Sequence, residues 1–133
     1  MPSRSQHKQS VLLGPICPTP VSPVYGIYDT VTFTEHDLEL WVWQIPNDGM
    51  VYKLCDFTHV SIPTGFMYAL IRLNAVDIWN EYGAYQNQWR PTYANAPSFV
   101  FPDELQIWIV QSQDFVSKHY WQMSFWREQQ HGG

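Results

Sequence analysis

The run "LCDFTHV" (54–60) holds a nucleophile, an acid and a base in Cys55, Asp56 and His59. Nucleophilic catalysis needs a thiol beside a base that a third group orients. In a strand, Cys55 and Asp56 point to opposite faces, and four residues of extended chain put His59 more than about 12 Å from Cys55. Only a bulge or a turn at "FTHV" would bring the trio together. A second set, Glu35, His36 and Asp37 in "TEHD" with His59 as a fourth ligand, has metal-binding residue types. Adjacent strand residues diverge, however, so at most two of the first three can converge on one ion.

Three other chemistries are equally thin. Glu39 beside Trp41 and Trp43 has the residue types of a sugar platform, an acid flanked by aromatic faces. The "PTG" at 63–65 could offer backbone donors to an anion if it opened a helix. Cys17 and Cys55 lack the paired spacing of a structural zinc site, and no glycine-rich phosphate loop or dinucleotide fingerprint is present. The expectation is a protein without catalytic, cofactor or metal residues.

Composition narrows the partners. Charged residues make up 14% of the 133 residues and aromatics 17%, against a usual charged fraction of about 25%. So much aromatic bulk calls either for a large core or for a surface that something else covers. The net charge of −5 argues against nucleic acid as the main partner. Residues 1–28 carry Arg4 and Lys8 and no acid, while the rest holds all twelve acids. No run approaches the roughly 18 apolar residues of a membrane span. The "VLLGPIC" stretch is too short and too interrupted for a secretory signal. A soluble, cytoplasmic chain with two reduced thiols is therefore expected.

These residues must be positioned by a mainly β framework. Residues 1–24, with Pro2, Pro15, Pro18, Pro20 and Pro23, read as an extended Pro-rich arm. Residues 25–128 read as one β-rich globular domain and 129–133 as a flexible tail. "LELWVWQI" (38–45) and "VYKLCDF" (51–57) read as a hairpin around the Asp48-Gly49 turn. Glu39, Trp41, Trp43 and Ile45 share one face, and both faces are apolar enough to predict a central strand. Thr64 as N-cap, Gly83 as a C-terminal stop and a stripe of Met67, Ile71, Ala75, Ile78 and Tyr82 predict a helix over 64–82. Residues 83–104 read as a long connection with a short strand at "SFVF". "LQIWIVQ" (105–111) and 117–127 read as a second hairpin. In "KHYWQMSFWR" (118–127), alternation puts His119, Trp121, Met123 and Phe125 on a core face and Tyr120, Gln122, Ser124 and Trp126 on the other. The fold expected is an α+β antiparallel sheet or sandwich of about five to seven strands with that one helix. The alternative is an all-β, jelly-roll-like sandwich.

The expected function follows from the arm, the aromatic loop and the low charge, which describe a domain whose surface is completed by copies of itself or by neighbouring structural proteins. A virion or phage-particle component is the specific expectation. Tyr85, Trp89, Tyr93, Tyr120, Gln122 and Trp126 are the candidate partner contacts. The alternative is a small carbohydrate-binding module that stacks glycans on exposed tryptophans.

Overall fold

The computed structural model describes residues 11–13, 24–63, 65, 67–83 and 86–130. Ten strands are present among them: β1 (Val11–Leu13), β2 (Val24–Phe33), β3 (Asp37–Gln44), β4 (Met50–Ile62), β5 (Met67–Leu73), β6 (Val76–Gly83), β7 (Gln86–Trp89), β8 (Ser98–Phe99), β9 (Glu104–Gln111) and β10 (Ser117–Gln129). They form two antiparallel sheets packed as a sandwich. The larger has the order β1-β2-β10-β4-β7, with β8 pairing on β4; the smaller has the order β3-β9-β5-β6.

The pairings are nested. The early strand β2 pairs with the last strand β10, β3 with β9, β4 with β7, and β5 with β6. One long hairpin rolled around a barrel axis gives this connectivity, the jelly roll, in which each long connection changes sheet. The all-β alternative is thus the architecture observed, and the helix expected at 64–82 is absent.

In its place stands the hairpin β5–β6. Met67, Ala69 and Ile71 are fully buried, so the apolar period there is two rather than 3.6. Leu73 pairs with Val76 across a two-residue turn, Asn74-Ala75, whose φ angles are 51° and 67°. Paired left-handed residues match the twist of the flanking strands. Asn74 is tied down from outside: its N–H donates to Glu104 O at 2.9 Å, its Nδ2 to Asp103 Oδ1 at 3.0 Å, and its Oδ1 accepts from Glu104 N at 2.9 Å. Tertiary anchoring therefore overrides the helical stripe.

Neither hairpin expected from adjacent strands exists. β3 and β4 lie in opposite sheets, as do β9 and β10. The turn containing Gly49, at φ 72°, crosses between sheets instead of closing a ladder. Nor is β3 central; it is the edge of the smaller sheet, although Glu39, Trp41, Trp43 and Ile45 do turn inward together. The 83–104 stretch contains β7, a 3-10 turn at Tyr93–Asn95 and β8, which sits within the expected "SFVF". Of the expected tail, Gln129 belongs to β10 and Gln130 N donates to Gly49 O at 2.9 Å. Residues 131–133, and the arm apart from Val11–Leu13 and Val24, lie outside the described residues.

Many of the aromatics are absorbed by the space between the sheets. Trp41 packs edge-on to Trp121 at 5.4 Å between ring centroids, and Trp43 lies 5.1 Å from Phe125 and 5.6 Å from Tyr52. Each such side chain, fully buried, stabilises the fold by about 1.5–3 kcal/mol through the removal of apolar surface from water. Trp41 Nε1 finds a partner in Asp29 Oδ2 at 2.9 Å, a bond from the smaller sheet to β2 of the larger.

Candidate functional site

Two constellations of polar residues stand on opposite sides of the larger sheet. The inner one follows from strand phase. On β4, β7, β9 and β10, residues His59, Asn87, Gln111 and His119 fall on inward positions and are essentially fully buried. Gln111 Nε2 donates to the carbonyls of Glu35, Gln113 and Phe115 at 3.2, 3.0 and 2.6 Å. Its Oε1 is thereby left to accept from His119 Nε2 at 2.9 Å. His119 Nδ1 must then accept from His59 Nε2 at 2.8 Å, and His59 Nδ1 from Asn87 Nδ2 at 3.1 Å. Every ring nitrogen is used once, and the chain works only with both imidazoles neutral. Burial pushes His119 down to about 4, and burial together with the neighbouring His119 pushes His59 down to about 3. This network ties the larger sheet to β9 and to the two loops that Gln111 caps. It is enclosed, and it holds the sandwich end in one register.

The outer constellation lies on the solvent side of β2, β10 and β4. The register places Tyr28, Gln122 and Thr58 in one row and Thr30, Tyr120 and Val60 in the next. Together with Asp29 and Trp121, which lie between them in sequence and turn inward, they line a depression of about 300 Å³. Tyr28 is 40% exposed. Neither row contains a charge. The row beyond Tyr28 carries Asp56, buried to 3% exposure, whose carboxylate receives Arg90 Nε at 2.6 Å and Thr58 Oγ1 at 3.1 Å. With its amide oxygen turned to the guanidinium, Gln88 accepts from Arg90 at 2.8 and 2.9 Å. Lys118, with its ammonium 5.5 Å from the Tyr120 ring, bounds the other side.

The candidate residues read from sequence separate into three groups. Tyr120 and Gln122 are on the outer face and half-buried, in the depression. Tyr93 is exposed, bonded to Glu128 and lying 3.8 Å beneath Lys53. Trp126 points to the same outer side but is buried at 7% exposure, against Cys55, Ala96 and Tyr93. Trp89 is half-buried and stacks on Trp79, with centroids 5.4 Å apart and rings tilted by 3°. Tyr85 lies outside the described residues. Sequence reasoning missed Tyr28 and Thr30; the signal was the alternation in "YGIYDTVTF" (25–33), where Ile27, Val31 and Phe33 turn inward.

The trio Cys55, Asp56 and His59 does not converge. The β4–β10 register shifts between Ser124 and Phe125, and Cys55 is the extra residue of that bulge. Asp56 faces out to Arg90 while His59 faces in to His119. Cys55 is disulfide-bonded, which corrects the expectation of a reduced thiol; Cys17 lies outside the described residues. His36 bonds Asp114, whereas His59 is committed to His119 and Asn87, so the "TEHD" set is not assembled either. Glu39, fully buried between the sheets with Trp41 and Trp43, is no sugar platform. Among the described residues no group of three His, Cys, Asp or Glu side chains could hold a metal ion, and no helix is long and apolar enough to cross a membrane. No family model, no curated protein and no solved structure matches this chain.

Proposed function

We propose that this chain is a structural, assembly-forming protein, a virion or phage-particle component whose N-terminal segment joins subunits. The observation that carries the reading is β1. Three residues of the otherwise Pro-rich N-terminal stretch add an antiparallel strand to the free edge of β2, with Val11 opposite Tyr28, Leu12 opposite Ile27 and Leu13 opposite Gly26. Backbone pairing at a sheet edge is insensitive to which copy supplies the strand. The ten intervening residues, 14–23, include four prolines that favour an extended reach. The same pairing made to a neighbour's β2 is an arm exchange, a low-cost route to oligomers. One edge of the smaller sheet, β6, carries exposed Val76 and Tyr82 and offers a second contact. Jelly-roll sandwiches serve as capsid domains and also as lectins, so the fold supports the reading only by analogy.

The test is the solution mass of the full chain and of a chain lacking residues 1–24, by light scattering. A discrete oligomer that dissociates on truncation, with the β-sheet circular dichroism retained, is the expected result. A monomer in both forms would overturn the proposal.

A further inference from the structure

We propose that the outer face of β2, β10 and β4 is a binding site for neutral saccharides, centred on Tyr28, Tyr120 and Gln122. This inference does not rest on the assembly reading, although β1 pairs with β2 beside Tyr28.

The first argument is charge. The two rows that line the depression hold only hydroxyl, amide, aromatic and one aliphatic side chain, in a protein of net charge −5. A phosphorylated or sulfated ligand would find no cation at the centre. A cationic one would meet only committed acids: Asp56 holds Arg90 and Thr58, and Asp29, which also borders the depression, accepts from Thr30 N and Trp41 Nε1. A neutral ligand that combines hydroxyls with apolar C–H faces is the complement of such a surface. The second argument is geometry. Side chains two residues apart on one strand face sit about 7 Å apart, and neighbouring strands about 4.8 Å, so two rows on three strands span the footprint of one to two sugar rings. Tyr28 and Tyr120 stand diagonally across the β2–β10 ladder, since Tyr28 pairs with Gln122 and Thr30 with Tyr120. They supply two apolar faces with a polar tip each.

The third argument is preorganisation. Asp56, Arg90 and Gln88 are hydrogen-bonded to one another beside the rows, and Gln122 Nε2 leans toward Asp56 Oδ2 at 3.5 Å, leaving its Oε1 to accept from a sugar hydroxyl. The indole rings, by contrast, are spent elsewhere: Trp41, Trp43, Trp121 and Trp126 are buried and Trp79, Trp89 and Trp108 are half-buried. Tyrosine, not tryptophan, is the stacking residue here, which departs from the tryptophan platform expected from sequence.

The experiment is saturation-transfer NMR on the full chain, in whatever assembly state it adopts, with cello-, malto-, manno- and chito-oligosaccharides as probes. At least one series should receive saturation through its ring C–H protons. Tyr120→Ala and Gln122→Ala should each weaken that binding by about tenfold or more, with an unchanged melting transition because neither side chain enters the core. Phe101→Ala, an exposed aromatic in the turn between β8 and β9, should leave binding intact. The inference is overturned if no series binds, if binding survives Tyr120→Ala and Gln122→Ala undiminished, or if the face instead captures a protein or peptide. None of these outcomes alters the mass test of the arm.

Discussion

Acidification should loosen this protein through the His59–His119 pair. In the folded chain burial holds these groups near 3 and 4, whereas an unfolded histidine titrates near 6.5. Both folded values lie below the unfolded one. Between about pH 6.5 and pH 4 the unfolded chain therefore binds up to two protons that the folded chain refuses, and stability falls as pH falls. Relative to pH 7, each histidine should cost roughly 2 kcal/mol at pH 5, or roughly 4 kcal/mol for the pair. That is a large share of the 5–15 kcal/mol typical of a domain. Among the described residues no charged group is seen to offset it: the ring neighbours include Asn87, Gln111 and Phe33, whose ring lies 4.9 Å from His119. Urea unfolding followed by tryptophan fluorescence at several pH values reads the effect, with Trp41 and Trp121 as buried reporters. His59→Phe removes one titrating group and should roughly halve the loss between pH 7 and pH 5. It should also lower stability at pH 7 by about 1–3 kcal/mol, because Asn87 Nδ2 loses its acceptor. Equal stability at pH 7 and pH 5, or an undiminished loss in the variant, would refute the neutral-chain argument.

Two further substitutions test local claims. Ala75→Gly should stabilise the β5–β6 hairpin by about 1 kcal/mol, since Ala75 holds a φ of 67° that glycine adopts without strain; a raised melting temperature checks this. Arg90→Met should destabilise by about 1–2 kcal/mol, because Asp56 at 3% exposure loses its cation while Arg90 itself is well exposed. Urea midpoints with and without high salt would measure it.

Side-chain phase was legible in the sequence far more than topology was. Alternation in "KHYWQMSFWR" separated the inward from the outward residues of β10, and in "LELWVWQI" it put Glu39, Trp41, Trp43 and Ile45 on one face, because a period of two is a local property. Partners were not local. A jelly roll pairs β2 with β10 and β3 with β9, so the rule that neighbouring strands form hairpins misplaced β4 and β10. The tight hairpin β5–β6 was hidden because its turn uses Asn74-Ala75 without glycine, and because Met67, Ile71, Ala75, Ile78 and Tyr82 also fit a helical stripe. The histidine chain was half legible. His119 stood in the inward phase of β10, but His59, Asn87 and Gln111 reach it only through the fold. The outer depression was legible on β10, in Tyr120 and Gln122, and lost on β2 because no strand was read across Tyr28 and Thr30.

The assembly reading rests on whether β1 can pair with the β2 of another copy, and covalent trapping across that ladder tests it most directly. Opposed residues of an antiparallel pair have Cα atoms within disulfide range, so one population carries Val11→Cys and a second carries Tyr28→Cys. The two are mixed as full chains and oxidised gently, and the products are separated on a non-reducing gel against each population treated alone. A dimer that forms only in the mixture is the predicted result. Failure to form it, while the same pair of substitutions in a single chain closes readily, would mean that β1 serves only its own sheet and would contradict the account.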